Sequence, residues 1–236
     1  MEELKGKEYF KIKRLRSDIY VRKGNQTLSF AYPPEGQGSY NEMAERVIKS
    51  GRQLPTTSQM LSLVYNLAIN NHLWDEQECK ELLDITKGRY FWTSTENLYV
   101  PDKGVYVYDN IDGKMLLDIA SLEKLLKEGD KRVRFAPFGF RLGEGQRTAE
   151  LEENSLVLAH IGREDAIKLA SASINISYDK WPAILGIENP KSEKLMRTAI
   201  GCFNFKYSEK KGLCLDCSCD AANYYNGSAI SVSSDV

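Results

Sequence analysis

Apolar positions of strand-forming type concentrate between residues 90 and 142. Four runs in this stretch are rich in aromatic and β-branched residues: 90–95, 98–100, 104–108 and 132–142. Such runs, separated by turn residues, are typical of strands. In the run 104–108, Val105 and Val107 face one side and Tyr106 and Tyr108 face the other, so both faces are apolar. Both faces must therefore be covered, and the amphipathic helices that precede the run are the expected cover.

Shorter patterns on the N-terminal side predict strands and then helices. Strands are expected at 9–12, 19–21 and 27–30. Ser39 and Glu42 form a predicted capping box for a first helix, which ends at Gly51. Its apolar stripe consists of Met43, Val47 and Ile48.

Two further helices are predicted before residue 90, and one after it. Thr56 or Thr57 caps the second helix, and the third extends from about residue 75 to 88. Trp92 heads the most apolar stretch, so we expect it to be buried beneath the second helix. Ser121 is expected to cap a short helix that carries Leu122, Leu125 and Leu126.

The C-terminal part predicts mostly strands. Residues 155–161 look strand-like, and a helix is expected from 164 to about 171. Strands at 198–207, 213–220 and 228–232 predict an antiparallel meander, since Asn226-Gly227 is a strong hairpin signal. Strict alternation places one set of side chains inward, Leu213, Leu215, Cys217 and Cys219, and the other outward, Cys214, Asp216, Ser218 and Asp220.

Charge and composition exclude several classes of protein. The 236 residues contain 32 Lys and Arg against 33 Asp and Glu, so no nucleic-acid partner is indicated. No apolar run approaches the roughly 20 residues that a membrane helix needs, and the N-terminus lacks the apolar core of a signal peptide. We expect synthesis in the cytoplasm without membrane insertion, which is compatible with display on a virion or cell surface.

The cysteines favour a buried strand over a chemical centre. Four of the five lie between Cys202 and Cys219, which is a poor disulfide framework for a chain of this length. Cys214, Cys217 and Cys219 could bind zinc, but they lack a tight turn and a second pair of ligands. Buried cysteines in a strand are the favoured interpretation, so the sequence predicts no metal and no cofactor.

Three motifs resemble those of C-type-lectin-like domains, including the bacterial relatives of formylglycine-generating enzymes. Residues 51–56 resemble the R-L-P-T entry to the second helix of those domains. Residues 90–95 resemble their Y-W-S-S-T strand, and 133–141 resemble their V-R … G-F-R strand. The resemblance implies an α+β fold of antiparallel strands and β-ribbons with two or three packed helices. The Glu-Pro-Asn sugar motif and the disulfides of animal lectins are absent from the sequence.

The chain also resembles the variable proteins of archaeal and viral diversity-generating retroelements, which carry a hypervariable ligand surface near the C-terminus. Residues 212–236 contain no Lys, Arg, Glu, Gln, Met or Trp, although 28% of the whole chain is charged. Every residue type in this segment is reachable by mutating adenines in Asn-type codons, as those elements do. A short β-meander of small residues is an equally good explanation.

These observations predict a non-catalytic protein with a diversifiable binding surface for a protein or cell-surface ligand. Tyr, Ser and Asn are favoured in binding loops because they combine large contacts with adaptable hydrogen bonds. The predicted ligand-binding residues are Asp216, Ser218, Asp220, Asn223, Tyr224, Tyr225, Asn226 and Trp181. The alternatives are a formylglycine-generating-type oxidoreductase and a structural subunit with a fixed partner. The oxidoreductase would need active-site cysteines, and this chain has none in the matching region 90–142. We expect one domain over 1–236, with 143–180 inserted and 195–236 forming the C-terminal meander. The sequence does not specify an oligomeric state.

Overall fold

A computed structural model of the protein describes residues 17–70, 76–111, 118–176, 181–204, 211–220 and 227–233. The helices in these ranges are α1 (Tyr40–Lys49), α2 (Thr57–Ile69), α3 (Gln77–Gly88), α4 (Ile119–Lys127), α5 (Thr148–Glu153) and α6 (Ser155–Ile176). The strands are β1 (Ser17–Lys23), β2 (Gln26–Tyr32), β3 (Gln37–Gly38), β4 (Tyr90–Val100), β5 (Gly104–Asp109), β6 (Val133–Pro137), β7 (Ala183–Leu185), β8 (Lys194–Asn204), β9 (Lys211–Cys219), β10 (Gly227–Ser228) and β11 (Val232–Ser233). None of the described helices is long and apolar enough to cross a membrane.

Strand β4 is the centre of the larger of two sheets. That sheet has the order β3-β10-β4-β8-β9-β7, and β5 joins it by pairing with β4 and with β6. The smaller sheet has the order β1-β2-β11, in which both pairings are antiparallel. The strands predicted at 19–21, 27–30 and 104–108 are therefore confirmed, whereas the one predicted at 9–12 lies outside the described residues. The runs 90–95 and 98–100 form the single strand β4, and the run 132–142 is a strand only over Val133–Pro137.

The main hydrophobic core lies between the two sheets and three helices. Buried side chains of α2, α3 and α6 pack in one cluster with those of β2, β4 and β9. Val105 and Val107 belong to this cluster, whereas Tyr106 and Tyr108 pack with Leu122 of α4. Both faces of β5 are thus covered, as predicted, but the second cover is a helix that follows the strand.

Trp92 belongs to a separate cluster beneath α1. Its side chain has no exposed surface, and it packs against Tyr40, Met43 and Val47. The prediction of burial is confirmed, but the helix above Trp92 is α1, not α2. Tyr40, Met43 and Val47 follow the i, i+3, i+7 spacing of one helix face. Ile48 falls outside that face and is 54% exposed, so its placement in the inward stripe was wrong.

The predicted helix starts were right for α1 and α2 and wrong for α4. Ser39 and Glu42 form the capping box of α1, and Thr56 caps α2 together with Gln59. For α4, the cap is Asp118, which accepts a hydrogen bond from the backbone N–H of Ser121 at 2.7 Å. Ser121 therefore lies inside the helix that it was expected to cap.

Residues 155–161 are helical, and the strand prediction for them was wrong. They form the first part of α6, which kinks at Gly162, where φ is 75°. The side-chain carbonyl of Asn154 accepts hydrogen bonds from the backbone N–H groups of Leu156 and Val157, so it caps the helix start. Leu156, Val157, His160 and Ile161 also follow helical spacing, and all are buried.

The predicted C-terminal meander was wrong in its last step. Strands β8 and β9 form an antiparallel pair, but β10 pairs with β3 and β4, and β11 pairs with β2. Gly227 starts β10 in close contact with β4, where an added Cβ would lie 2.5 Å from the Trp92 indole nitrogen. The glycine signal therefore reflects close strand packing and not a hairpin turn back onto β9.

Candidate ligand-binding site

A bulge in β4 contacts the start of α2. The pairing of β4 with β8 shifts register between Trp92 and Glu96. The hydroxyl of Thr95 accepts a hydrogen bond from the backbone N–H of Thr57 at 3.0 Å, and the hydroxyls of Thr93 and Thr57 are 3.1 Å apart. Ser94 N–H donates to the carbonyl of Pro55 at 2.8 Å. Two of the sequence motifs, 51–56 and 90–95, thus lie side by side. The residues that lead into α2 are hydrogen-bonded to β4.

Directly after the bulge, a buried ion pair joins β4 to β8. Glu96 is 1% exposed and pairs with Arg197, which is its cross-strand neighbour. The Asn110 side-chain amide donates to the same Glu96 carboxylate at 2.8 Å, and the Arg197 guanidinium lies 4.6 Å from the Tyr40 ring centre. Burial raises the pKa of Glu96, and the charge of Arg197 partly opposes this.

The ion pair leaves polar atoms for further interactions. Nε of Arg197 and Oε2 of Glu96 are buried and have no hydrogen-bond partner among the described residues. Arg197 also pairs with Cys219 at the end of β9, so Glu96, Arg197 and Cys219 form one row across three strands. Asp220 follows this row directly. The end of β9 and the ion pair are therefore neighbours in the sheet, and we call Glu96, Arg197, Ser218 and Asp220 the β9-end site.

Asp216 does not face solvent as the alternating pattern predicted. It is 9% exposed, and its carboxylate accepts hydrogen bonds from the backbone N–H and the hydroxyl of Ser218, each at 2.8 Å. Cys214, also predicted outward, has no exposed surface. The reason is that both faces of β9 are covered. Leu213, Leu215 and Cys217 pack in the main core, and Asp216 pairs with Ala199, which belongs to the cluster of Trp92.

The other predicted site residues are separated by the fold. Ser218 and Asp220 are half-buried at the end of β9. Trp181 precedes β7, whose first residue Ala183 pairs with Cys214, so Trp181 lies toward the opposite end of β9. It packs against the main core. Asn223, Tyr224, Tyr225 and Asn226 lie outside the described residues.

Sequence reasoning missed Glu96, Arg197 and Tyr40. A usable signal was present, because Glu96 is a charged residue inside an otherwise apolar or small-polar run from 90 to 100. A charge in such a run requires a partner or a function. Its partner, however, lies about a hundred residues later, and cross-strand pairs at that separation cannot be read from one sequence.

The buried thiols near the β9-end site are not activated. The Cys217 sulfur lies 3.9 Å from Nδ1 of His160, which resembles a Cys–His pair. Burial raises the pKa of the Cys217 thiol well above its usual range and lowers the pKa of His160 to about 4, so both are neutral at pH 7. Burial, followed by the nearby Asp216 carboxylate, also raises the thiol pKa values of Cys214 and Cys219. A nucleophilic or metal-binding cysteine requires the thiolate, which these surroundings disfavour.

All five cysteines are buried, and none of them forms a disulfide. Within the described ranges, no group of three His, Cys, Asp or Glu side chains is arranged to hold a metal ion.

Comparison with known proteins gives one structural match. No protein-family model and no curated protein matches the sequence. A solved Nanoarchaeota structure, described as the accommodation of massive sequence variation by the C-type lectin fold, superimposes with a TM-score of 0.51. The match covers 84% of this chain and 99% of that chain, at 13% sequence identity. This chain has the C-type lectin fold.

The C-type lectin fold was the fold that the three motifs implied, so that prediction is confirmed. The α+β class is confirmed as well, although the described residues contain six helices instead of two or three. At 13% identity the likeness concerns the architecture alone.

Burial divides the C-terminal segment into two parts. From Gly212 to Cys217 every residue is buried, and so are Cys219 and the residues 227–232. Ser218, Asp220 and Ser233 are the half-buried exceptions among the described residues. Much of the unusual composition of 212–236 is therefore accounted for by burial in the sheet, since charged residues are almost never fully buried unless paired.

Proposed function

We propose that the protein binds a protein or cell-surface ligand without catalysis, through a surface at the end of β9 that tolerates sequence variation. The surface consists of Ser218 and Asp220, together with the predicted residues Asn223, Tyr224, Tyr225 and Asn226. Trp181 and Asp216 are left out, because Trp181 packs at the other end of β9 and Asp216 is buried.

The observation that carries the proposal is the change from full burial to partial exposure at the end of β9. Leu213, Leu215 and Cys217 have no exposed surface and anchor the strand in the main core. Beyond them Ser218 and Asp220 are half-buried, and Cys219 between them is buried. A rigid strand that ends in adaptable polar residues is a scaffold on which binding residues can change without loss of the fold.

Two further observations support the proposal. The Nanoarchaeota protein of the same fold is described as accommodating massive sequence variation. In addition, the Glu96–Arg197 pair presents a buried donor and a buried acceptor beside Asp220, which an oriented polar ligand group can use after a small side-chain rotation. The oxidoreductase alternative gains no support, because all five cysteines are buried and the three in β9 have raised thiol pKa values.

A display library tests whether the surface tolerates variation. Ser218, Asp220 and residues 223–226 would be randomised together, and protease resistance of the displayed protein would report folding. Exposed substitutions usually change stability by no more than about 0.5 kcal/mol, so most library members should stay folded. A second library at Leu213, Leu215 and Cys217 should be depleted of folded members. Equal depletion of both libraries would contradict the proposal.

Selection for binding tests whether the surface at the end of β9 binds ligands, in addition to tolerating substitutions. The first library would be sorted against a panel of purified proteins, beside a control library randomised at Glu45 and Lys49, which are exposed on α1. Binders should arise from the β9-end library and should lose binding when tyrosines selected at 223–226 are replaced by alanine, because anchoring tyrosines can contribute about 2 kcal/mol or more. If the control library yields binders as often, the surface has no special role.

A further inference from the structure

A cavity of about 350 Å³ lies on the outer face of the small sheet β1-β2-β11. Asp18 pairs with Ala31, and the Ser231 carbonyl accepts a hydrogen bond from the Ala31 N–H, so these three residues form one row across the sheet. The side chains of the neighbouring positions, Ile19 and Phe30, face the main core. Small residues at Ala31 and Ser231 leave a recess between the strands and the segment that carries Pro33, Pro34 and Glu35.

The end of α1 places an arginine beside this recess. Gly51 adopts a φ of 77° and the Arg52 N–H returns to the Val47 carbonyl, so the chain leaves the helix in a tight turn. The next residue, Gln53, bridges to Val232 of β11. Arg52 is thereby held at the sheet edge, and its guanidinium reaches Asp18 at 2.7 Å.

Two polar groups lining the cavity lack partners. Nη1 of Arg52 is a buried donor with no hydrogen-bond partner among the described residues. The hydroxyl of Ser231, a residue only 1% exposed, is likewise without a partner in the described part of the chain. Unsatisfied buried groups cost free energy, so a ligand group that reached these atoms after a side-chain rotation would be favoured.

The charged side chains that line the cavity indicate which kind of ligand could bind there. Asp18 and Glu35 contribute two carboxylates, whereas Arg52 contributes one guanidinium. A simple anion would be repelled by the carboxylates, and a simple cation would leave the Arg52 donor unused. A molecule with both charges meets all these groups, and the cavity lies within the usual size range of small-ligand sites, about 300–1,000 Å³.

We propose that the cavity binds a small zwitterion of the α-amino-acid class. The ligand carboxylate contacts Arg52 and Ser231, and its ammonium group lies on the side of Asp18 and Glu35. Among the described residues Arg52 is bonded to Asp18 through Nη2, so a modest rotation of its half-buried side chain turns Nη1 toward the ligand. None of these residues belongs to the β9-end site, so the two binding functions are independent.

Ligand-induced stabilisation and calorimetric titration test the proposal. Each common α-amino acid, acetate and methylamine would be added at millimolar concentration to the whole protein. At least one amino acid should raise the Tm in a dose-dependent manner, because a ligand that binds only the folded state stabilises it. Acetate and methylamine, which carry one charge each, should not. Failure of every amino acid, or an equal shift with acetate alone, would overturn the proposal.

Variants place the effect in the cavity. Arg52→Gln should weaken binding about tenfold or more, since it removes a charge-assisted hydrogen bond. Arg132→Gln is the matched control, because it removes another half-exposed arginine that is 2.7 Å from its aspartate partner, Asp130. Ser231→Ala should weaken binding while leaving the Tm without ligand unchanged or higher, since the hydroxyl has no partner to lose. Equal affinity of the Arg52 and Arg132 variants would overturn the assignment.

Discussion

Acidification should destabilise the protein through one buried imidazole, His160. The ring is 3% exposed; Nδ1 lies 2.7 Å from the Leu156 carbonyl and Nε2 lies 3.2 Å from the Thr198 hydroxyl. Nδ1 therefore donates and Nε2 accepts, which fixes the neutral tautomer. Burial lowers the pKa of His160 to about 4, and the Leu156 carbonyl opposes this; of the nearby charges, Arg134 lowers the pKa and Asp109 raises it.

The size of the effect follows from the difference between the folded and unfolded pKa values. Between the ordinary value of 6.5 and the folded value of about 4, the unfolded chain binds more protons at this site. The contribution of neutral His160 to stability is therefore complete above pH 6.5 and is lost as the pH falls toward 4. Each unit of pKa difference corresponds to about 1.4 kcal/mol, so the loss approaches about 3 kcal/mol.

Urea unfolding of wild type and His160→Gln at pH 7.5 and pH 4.5 isolates this contribution. Glutamine is neutral at both pH values, and every other titrating group is common to the two proteins. Wild type should lose about 2–3 kcal/mol more than the variant between the two pH values. If both proteins lose stability in parallel, His160 is charged or accessible in the folded state. The description of Cys217 and His160 as a neutral structural pair would then be refuted.

Four further changes test the packing and the site. Trp92→Ala should destabilise by about 3–5 kcal/mol in chemical unfolding, because it empties the cluster beneath α1; an unchanged midpoint would contradict that packing. Leu215→Asp should prevent folding, seen as loss of protease resistance, because it buries an unpaired charge. Arg197→Met should destabilise by about 3–5 kcal/mol and the double variant with Glu96→Gln by clearly less, and equal losses would show that the pair is not coupled. At pH values between the ordinary and the raised pKa of Glu96, the contribution of this residue to the free energy of unfolding should fall as pH rises. The free energy of unfolding of Glu96→Gln should therefore lack this decrease with pH.

Local signals in the sequence were sufficient for most of the fold. The capping boxes at Ser39 and Thr56 depend on residues three positions apart, and both were predicted correctly. The apolar run from 90 to 100 identified the central strand. The run 155–161 was misassigned because short apolar runs fit a buried strand and a buried helix equally well, and the cap at Asn154 decides between them.

The site could be predicted only in part, because it depends on contacts between distant residues. Alternation along β9 placed Leu213, Leu215 and Cys217 correctly in the main core, but Cys219 packs with Trp92, since the pairing with β8 shifts register between Arg197 and Ala199. Alternation also could not show that Asp216 would be buried. The Glu96–Arg197 pair depends on the antiparallel register of β4 and β8. The Arg52 cavity likewise requires four segments that meet only in the folded sheet.

Nucleotide sequencing of the coding locus in a natural population tests the central claim most directly. We expect a near-copy of the C-terminal coding segment beside a reverse transcriptase gene, differing from it mainly at adenines. Substitutions among individuals should concentrate in the codons of Ser218, Asp220 and residues 223–226, and should spare those of Leu213, Leu215 and Cys217, whose side chains are fully buried. A locus without such a copy, with substitutions spread evenly along the gene, would contradict the claim that this lectin-fold protein carries a diversified binding surface.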